Sequence, residues 1–296
     1  MAGELIQPRL DPDFSLMPWL LPAHVRDEVR VFGRFVRLAE GVAANPMLSR
    51  SARHARLATL EAMLDPGPGG GEADRAVMTA LRESLLRRGI SSGHARRILH
   101  ALDRTVTGTG AKPSDPSGSS RPARDVVHAT WAEVVAGATG IAAPIGRHML
   151  ALLGEDADRC GRPTDALCTA LRILKAIRDG NIDGEAGAAL CIPAAFLQDA
   201  SISLRHLSAP SARGQTRAVL DRVLDGADAL LLEAEILPLV IENRRLRTYV
   251  RVVLCRAHKL SARCRLGDPL RERIGLSGWE RQTCVWLNLL RDFVRS

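Results

Sequence analysis

The chain has 296 residues, 46% of them hydrophobic and 25% charged, an ordinary composition for a soluble globular protein with a large core. Its longest apolar stretch, 229–241, is interrupted by charged residues and a proline and falls short of the roughly 20 residues needed to cross a bilayer. The net charge of +8 suits nucleic acid, anionic lipid or a phosphorylated substrate, but only 3% of the residues are aromatic, so bases would find little to stack on. We therefore expect no membrane-spanning segment and no nucleic-acid partner, whereas peripheral contact with a membrane stays open.

The N-terminal sequence MAGELIQPRLDPDF lacks the basic region and apolar core of a secretory signal, so we expect a cytoplasmic protein. The cysteines show no zinc-binding spacing, and in a reducing compartment we interpret them as small apolar side chains. They occupy positions 160, 168, 191, 255, 264 and 284.

Apolar residues recur every three or four positions along most of the chain, which is the spacing of amphipathic α-helices, and no run alternates as a strand does. Glycine and proline interrupt the pattern, for example at 65–71, 161–163 and 267–269. The sequence therefore predicts an all-α protein of roughly nine to eleven helices. The predicted helices are 23–44, 51–64, 73–88, 94–106, 130–153, 165–182, 216–236, 242–265 and 279–294.

One segment, TGTGAKPSDPSGSSRPARD at 107–125, is rich in Gly, Ser and Pro and offers almost nothing to bury. Helical sequence of the same character continues on both sides of it. We therefore predict a single domain over residues 1–296 with a flexible insertion at about 107–125.

The stretch LRILKAIRDGNID, 171–183, places Asp179 and Asp183 four positions apart on a helix, where two carboxylates can share divalent cations. A structural interpretation also stays open, in which both residues are solvated at a helix end near Gly180 and Gly184. Lys175, one turn before Asp179, can pair with that carboxylate or supply positive charge to a diphosphate.

Four blocks in order carry a resemblance to a known family. The chain is similar to the squalene/phytoene synthase family, and within it to the bacterial hydroxysqualene and squalene synthase branch. The matching blocks are FSLMPWLLPAHVRDEVRVFGRFVRLAEGVAANPMLS (14–49), TWAEVVAGATGIAAPIGRHMLALLGE (130–155), DALCTALRILKAIRDGNID (165–183) with IP (192–193), and DALLLEAEILPLVIENRRLR (228–247).

The resemblance implies an isoprenoid synthase fold, in which helices surround a central cavity and two Asp-rich motifs hold Mg²⁺ against a prenyl diphosphate. Asp179 and Asp183 match the second motif and are the predicted metal ligands. Arg178 beside them, Lys175 and Arg37, which matches an arginine before the first motif, are the predicted diphosphate contacts.

The departures from the family pattern are extensive. The first motif, usually DDxxD, corresponds to residues 40–44, where Glu40 is the only remaining ligand. A tyrosine to which the family assigns acid/base work is replaced by Gly137, and an asparagine of the second motif by Lys175. The arginine and tyrosine that usually precede the third block's closing proline appear as Ala189 and Cys191. The Mg²⁺ requirement is therefore open to reduction or loss, and we assign no catalytic residue.

These departures favour a prenyltransferase that ionises an allylic prenyl diphosphate and transfers the prenyl group to a non-isoprenoid, aromatic small-molecule acceptor. Such an acceptor needs no second diphosphate and can lose its proton to a weak base. This resembles the squalene-synthase-like carbazole prenyltransferases of secondary metabolism. Two alternatives stay open: head-to-head condensation of two farnesyl diphosphates, and a catalytically inactive homologue that acts as a partner subunit.

Overall fold

The computed structural model describes residues 20–65, 70–108, 128–189, 191–207 and 209–294, without the side chains of 180–189, 205, 210 and 291–294. The chain divides into two compact units, Met1–Thr107 and Gly108–Ser296. The described residues contain helices and no strand, so the predicted all-α fold is confirmed.

The described residues of the first unit contain four α-helices, each with one apolar face in the core. They are α1 (Arg26–Ala43), α2 (Arg50–Ala62), α3 (Glu72–Arg88) and α4 (Gly93–Thr107). On α1 the buried positions include Val29, Phe32, Val36 and Ala39, three or four residues apart as a helix with one buried stripe requires.

In the second unit, the part of the chain that the structure describes forms seven α-helices, five of them long. They are α5 (Trp131–Leu153), α6 (Ala157–Ala189), α7 (Ala194–Asp199), α8 (Arg213–Ala234), α9 (Leu237–Val240), α10 (Arg244–Leu266) and α11 (Gly278–Val294). All nine predicted helices are present in these two units. The short α7 and α9 were not predicted, because segments of six and four residues carry too little periodicity to be recognised.

Helices α5 and α6 run antiparallel and share close contacts along their length. The Arg147 guanidinium donates two hydrogen bonds, of 2.8 and 2.7 Å, to the Asp165 carboxylate. Further along, the Thr139 and Thr169 hydroxyls lie 2.9 Å apart. The predicted break at 161–163 is wrong, since α6 starts at Ala157 and contains Pro163. A Cβ on Gly161 would overlap the Arg147 guanidinium, so this glycine permits close packing inside a helix instead of ending one.

The predicted helix end at Gly180 and Gly184 is also wrong, because α6 continues to Ala189. The predicted insertion falls mainly on residues outside the described ones, and the division between the two units lies at its start. A single domain over 1–296 remains a prediction. Among the helices of the described residues, none is long and apolar enough to cross a membrane.

Two of the six cysteines do not match their predicted role as reduced side chains. Cys255 on α10 and Cys284 on α11 form a disulfide, with Cα atoms 5.8 Å apart. Periodicity did not indicate this pair, because their sequence separation of 29 does not reveal which helix faces meet. The other four cysteines keep their thiols.

Candidate functional site

The predicted site residues of α6 form a tight cluster of charges. Lys175 Nζ donates to Asp179 Oδ2 at 2.6 Å, and Arg178 Nε donates to Asp179 Oδ1 at 2.8 Å. Arg178 Nη2 adds a third, longer hydrogen bond of 3.3 Å to Oδ2. Two cations around one carboxylate give these three side chains a net charge of +1, and the side chain of Asp183 lies outside the described part. The sequence-based alternatives for Lys175 were pairing or diphosphate binding, and in the structure the pair is formed.

The three side chains of this cluster differ in how far they are buried. The side chain of Arg178 is 8% exposed, that of Asp179 17% and that of Lys175 54%. Ile173, Leu174 and Ile177 on the same helix lie in the core. Arg178 therefore lies at the edge of the apolar core, where water screens its charge weakly, and Lys175 reaches solvent.

The electrostatic state of Asp179 follows from these contacts. Burial raises the pKa of the Asp179 carboxyl, but the hydrogen bonds and charges of Arg178 and Lys175 outweigh burial and bring this pKa below its usual value. Asp179 is consequently ionised at neutral pH. Both of its oxygens accept hydrogen bonds from cations, so a metal ion at Asp179 would compete with Lys175 and Arg178.

The other predicted site residues are placed only in part. The backbone of Asp183 belongs to α6, and its side chain is outside the described part. Arg37 and Glu40 lie in the first unit, one turn apart on α1 and both half-buried. Their predicted position across a cavity from the α6 carboxylates remains a prediction.

The predicted magnesium site is only partly covered by the described residues, since they lack the side chain of Asp183. Within them, no group of three or more His, Cys, Asp and Glu side chains is placed to hold a metal ion. Asp179 is engaged by two cations, and a Cβ on Gly41 in the former first motif would meet nothing within 4 Å. The space for a ligand at position 41 is therefore open, but no carboxylate is present there.

A histidine fills the space above Gly137, which was the position of the missing tyrosine. A Cβ on Gly137 would lie 2.9 Å from Cε1 and 3.2 Å from Nε2 of His128. Burial lowers the pKa of the His128 imidazole, and the nearby Glu133 carboxylate only partly offsets this. The ring is therefore mainly neutral at pH 7 and can accept a proton. The sequence predicts no role for His128, because it does not show that His128 and Gly137, nine positions apart, are in contact.

The backbone around His128 is fixed at the start of α5. Thr130 caps the helix, since its Oγ1 accepts a hydrogen bond from Glu133 N, and Glu133 Oε2 accepts one from Ala129 N at 2.7 Å. The carbonyl of His128 accepts a 2.9 Å hydrogen bond from Ala194 N at the start of α7. This capping box and the α7 contact hold the imidazole against α5.

Two other groups are relevant to the residues that the family pattern lacks. Cys191 is buried, and burial raises the pKa of its thiol to about 12, so it cannot replace an ionisable tyrosine near neutral pH. Burial raises the pKa of Tyr249, the only tyrosine of the chain, to about 12, with a smaller opposing effect from Arg256. Tyr249 on α10 therefore remains a neutral phenol.

A hollow of about 470 Å³ lies elsewhere in the second unit, between the start of α8 and the end of α10. Two of its three arginines serve structural contacts: Arg217 donates to the carbonyls of Cys264 and Gly267, and Arg265 pairs with Asp225 and Asp228. None of the predicted site residues lines this hollow. We therefore place the candidate site at the α6 cluster.

The fold and the cluster together define an all-α protein with a cationic candidate site, which suits an anionic substrate. The sequence matches the family model for squalene/phytoene synthase over residues 7–280. The chain therefore belongs to the squalene/phytoene synthase family, whose members act on prenyl diphosphates, and the resemblance found in the sequence is confirmed.

Individual relatives agree with this assignment. The chain is 30% identical over 270 residues to a hydroxysqualene synthase of Sinorhizobium fredii, covering 91% of this chain and 85% of that protein. It is 27% identical over 266 residues to a hydroxysqualene synthase of Rhodopseudomonas palustris, covering 90% and 84%.

Solved structures share the fold. A dehydrosqualene synthase in complex with a ligand superposes with a TM-score of 0.66 at 15% identity, covering 93% of this chain and 89% of that one. The squalene synthase HpnC from Alicyclobacillus acidocaldarius gives a TM-score of 0.53 at 20% identity, covering 84% and 97%. At these identities the likeness establishes a common fold and nothing about the reaction.

Proposed function

We propose that this protein is a prenyltransferase that joins two prenyl diphosphates head to head, the reaction class of its hydroxysqualene synthase relatives. The observation that carries the proposal is 30% identity to such a protein over 91% of the chain. The motif losses in the sequence favour transfer to an aromatic acceptor, but the similarity to hydroxysqualene synthases favours head-to-head joining. The motif losses stay relevant to how the substrate is bound.

The α6 cluster supplies the charge that ionisation requires. When an allylic diphosphate ionises, the C–O bond breaks and its electron pair leaves with the diphosphate, whose growing negative charge needs neutralisation. Lys175 and Arg178 both donate to Asp179, which keeps the two cations close together. Arg178 lies at the edge of the core, where water screens its charge weakly. Asp179 orients the two cations in this proposal. We derive no step through Mg²⁺, because cations engage Asp179 and the side chain of Asp183 is not described.

The test uses the full-length protein with dimethylallyl, geranyl or farnesyl diphosphate, with Mg²⁺ or with EDTA. Diphosphate release is measured together with extraction and mass spectrometry of the products. Head-to-head joining predicts a hydrocarbon or alcohol with twice the carbon number of the substrate. Release that continues in EDTA would support charge neutralisation by the side chains, and release only with Mg²⁺ would contradict it.

Prenyl transfer to an aromatic acceptor is the second candidate, and the contact between His128 and Gly137 favours it. Loss of the tyrosine removes the group assigned to the head-to-head reaction, while a neutral imidazole with a lowered pKa is a suitable acceptor for the proton that an arene loses after attack. The same assay with added arenes separates the candidates, since here diphosphate release requires the arene and the product has a single prenyl chain.

An inactive homologue that serves as a partner subunit is the third outcome of this assay. It predicts neither diphosphate release nor product with any substrate, with or without metal. Binding of inorganic pyrophosphate to a protein without turnover would identify an inherited site that has lost its chemistry.

A further inference from the structure

Helix α11 carries an apolar stripe on its solvent side. Trp279, Trp286, Leu287 and Leu290 are 78%, 62%, 60% and 58% exposed. The last three follow Trp279 by seven, eight and eleven positions, and this spacing places all four side chains on one face of the helix. The opposite face packs inward through Cys284, Val285 and Asn288. Two of the chain's four tryptophans are therefore in water on a single helix.

This stripe lies beside a strongly cationic helix. The sequence of α10 contains seven arginines and one lysine and no Asp or Glu. Three of these cations reach α11: Lys259 Nζ donates to Thr283 Oγ1 at 3.2 Å, Arg263 Nε to Glu280 Oε1 at 3.0 Å, and Arg256 Nη2 to the Arg281 carbonyl at 3.3 Å. Arg256 is only 5% exposed, so Lys259 and Arg263 are the accessible cations along this border, and Arg263 is paired with Glu280.

Large exposed apolar patches usually mark an interaction surface. A second copy of the chain is the competing occupant, and the light-scattering outcome below tests it. An anionic bilayer satisfies both features, since tryptophan favours the interface between lipid and water, and nearby cations are attracted to acidic headgroups.

We propose that the second unit docks on an anionic membrane surface through α11, with the stripe of Trp279, Trp286, Leu287 and Leu290 inserted at the interface and Lys259 and Arg263 of α10 facing lipid headgroups. This inference does not depend on the proposed reaction. It assigns α11, which lies almost entirely beyond the family-model match ending at residue 280, a role of its own.

The experiment is flotation of the full-length protein with vesicles of phosphatidylcholine alone and with one quarter phosphatidylglycerol. We expect binding to the anionic vesicles, weakening as NaCl rises from about 50 to 300 mM because salt screens the headgroup attraction. The variant W279S/W286S/L290S should lose at least tenfold in affinity, and the single variant W286S should lose less. Leu86→Ser is the matched control: Leu86 is 81% exposed on α3, outside the stripe, and its loss should leave binding unchanged.

Quenching by brominated lipid gives a second readout. Trp279 and Trp286 emission should be quenched on anionic vesicles, and the variant W279S/W286S should lose this quenching although Trp19 and Trp131 remain. Thermal unfolding verifies that each variant folds. Equal binding to neutral vesicles, no binding to either kind, or full binding by the triple variant would overturn the proposal. So would a concentration-dependent dimer in light scattering that the triple variant abolishes, since a second copy would then cover the stripe.

Discussion

Lys175 and Asp179 are joined by a 2.6 Å ion pair one helical turn apart on α6, and the same carboxylate accepts a 2.8 Å hydrogen bond from Arg178. A carboxylate that the sequence places at a metal site is thereby engaged by two cations. In this structure Asp179 holds Lys175 and Arg178 in position, and we propose that these two cations bind an anion.

Replacing Asp179 by asparagine should lower the free energy of unfolding by about 2 kcal/mol at pH 7, because the largely buried Arg178 loses a charge-assisted hydrogen bond. Urea unfolding measures the change. Asp225→Asn is the control, with an expected effect below about 1 kcal/mol, since Asp225 is 67% exposed and Arg265 keeps its bond to Asp228.

The pH dependence of the same variant tests the lowered pKa of Asp179. The pKa of this carboxyl is depressed in the folded state, so its stabilisation is fully present above the unfolded value near 3.8 and is lost as the pH falls through the folded value. The difference in unfolding free energy between wild type and Asp179→Asn should be the same at pH 7 and pH 5 and shrink below about pH 4. A difference that shrinks already between pH 7 and 5 would contradict a depressed pKa.

Lys175→Met should weaken binding of inorganic pyrophosphate by about tenfold, since one charge-assisted contact contributes roughly 1.4 kcal/mol. The stability should change by less than about 1 kcal/mol because Lys175 is 54% exposed. Isothermal titration calorimetry without Mg²⁺ measures the affinity. Arg162→Met is the matched control on the same helix: Arg162 is 87% exposed and pairs with Glu233, and its loss should leave the affinity unchanged. Equal losses in both variants would indicate a general charge effect and no site at Lys175.

Two glycines of α8 should respond in opposite directions to alanine. A Cβ on Gly226 would overlap the indole of Trp131, which stacks on Phe196 at 6.1 Å, so Gly226→Ala should destabilise by about 1–3 kcal/mol. A Cβ on Gly214 meets nothing within 4 Å, so Gly214→Ala should be neutral or stabilise by up to about 1 kcal/mol through helix propensity. Thermal unfolding compares the two, and similar effects would show that Trp131 can move aside.

Rebuilding the first Asp-rich motif should restore metal use. The double variant G41D/A44D places two carboxylates on exposed positions near Glu40, one of which has open space around its Cβ. Carboxylates are the oxygen ligands that Mg²⁺ takes, so Mg²⁺-dependent diphosphate release should increase. The variant G41N/A44N keeps the size and removes the charge, and it should behave as wild type. An equal rise in both variants would exclude metal ligation as the cause.

Reduction of the disulfide between Cys255 and Cys284 should destabilise the second unit by about 3–4 kcal/mol, the loop-closure entropy for a separation of 29 residues. Thermal unfolding with and without dithiothreitol measures this. The variant C255S/C284S should unfold like reduced wild type and be insensitive to dithiothreitol. If the variant still responds to the reductant, another thiol pair carries the effect.

Much of the fold follows from local pattern. Each long helix was predicted within a few residues of its observed ends, because a helix at a protein surface needs an apolar stripe every three to four positions whatever it packs against. The exception is α6, where Pro163 and Gly180 lie inside the helix. Proline and glycine weaken an isolated helix, but packing against α5, through Arg147 and Asp165, adds stability that no local pattern contains.

Some features of the candidate site also follow from the sequence, and others depend on the tertiary structure. The sequence by itself determined the residue types, the family and the one-turn spacing of Lys175 and Asp179, because these depend on order along a single helix. Only the tertiary structure decided that His128 covers Gly137, that Cys255 meets Cys284 and that the tryptophans of α11 face solvent. Periodicity indicates that a helix has a buried face. The partner of that face depends on how helices distant in sequence pack together, and this packing brings the reactive side chains into contact.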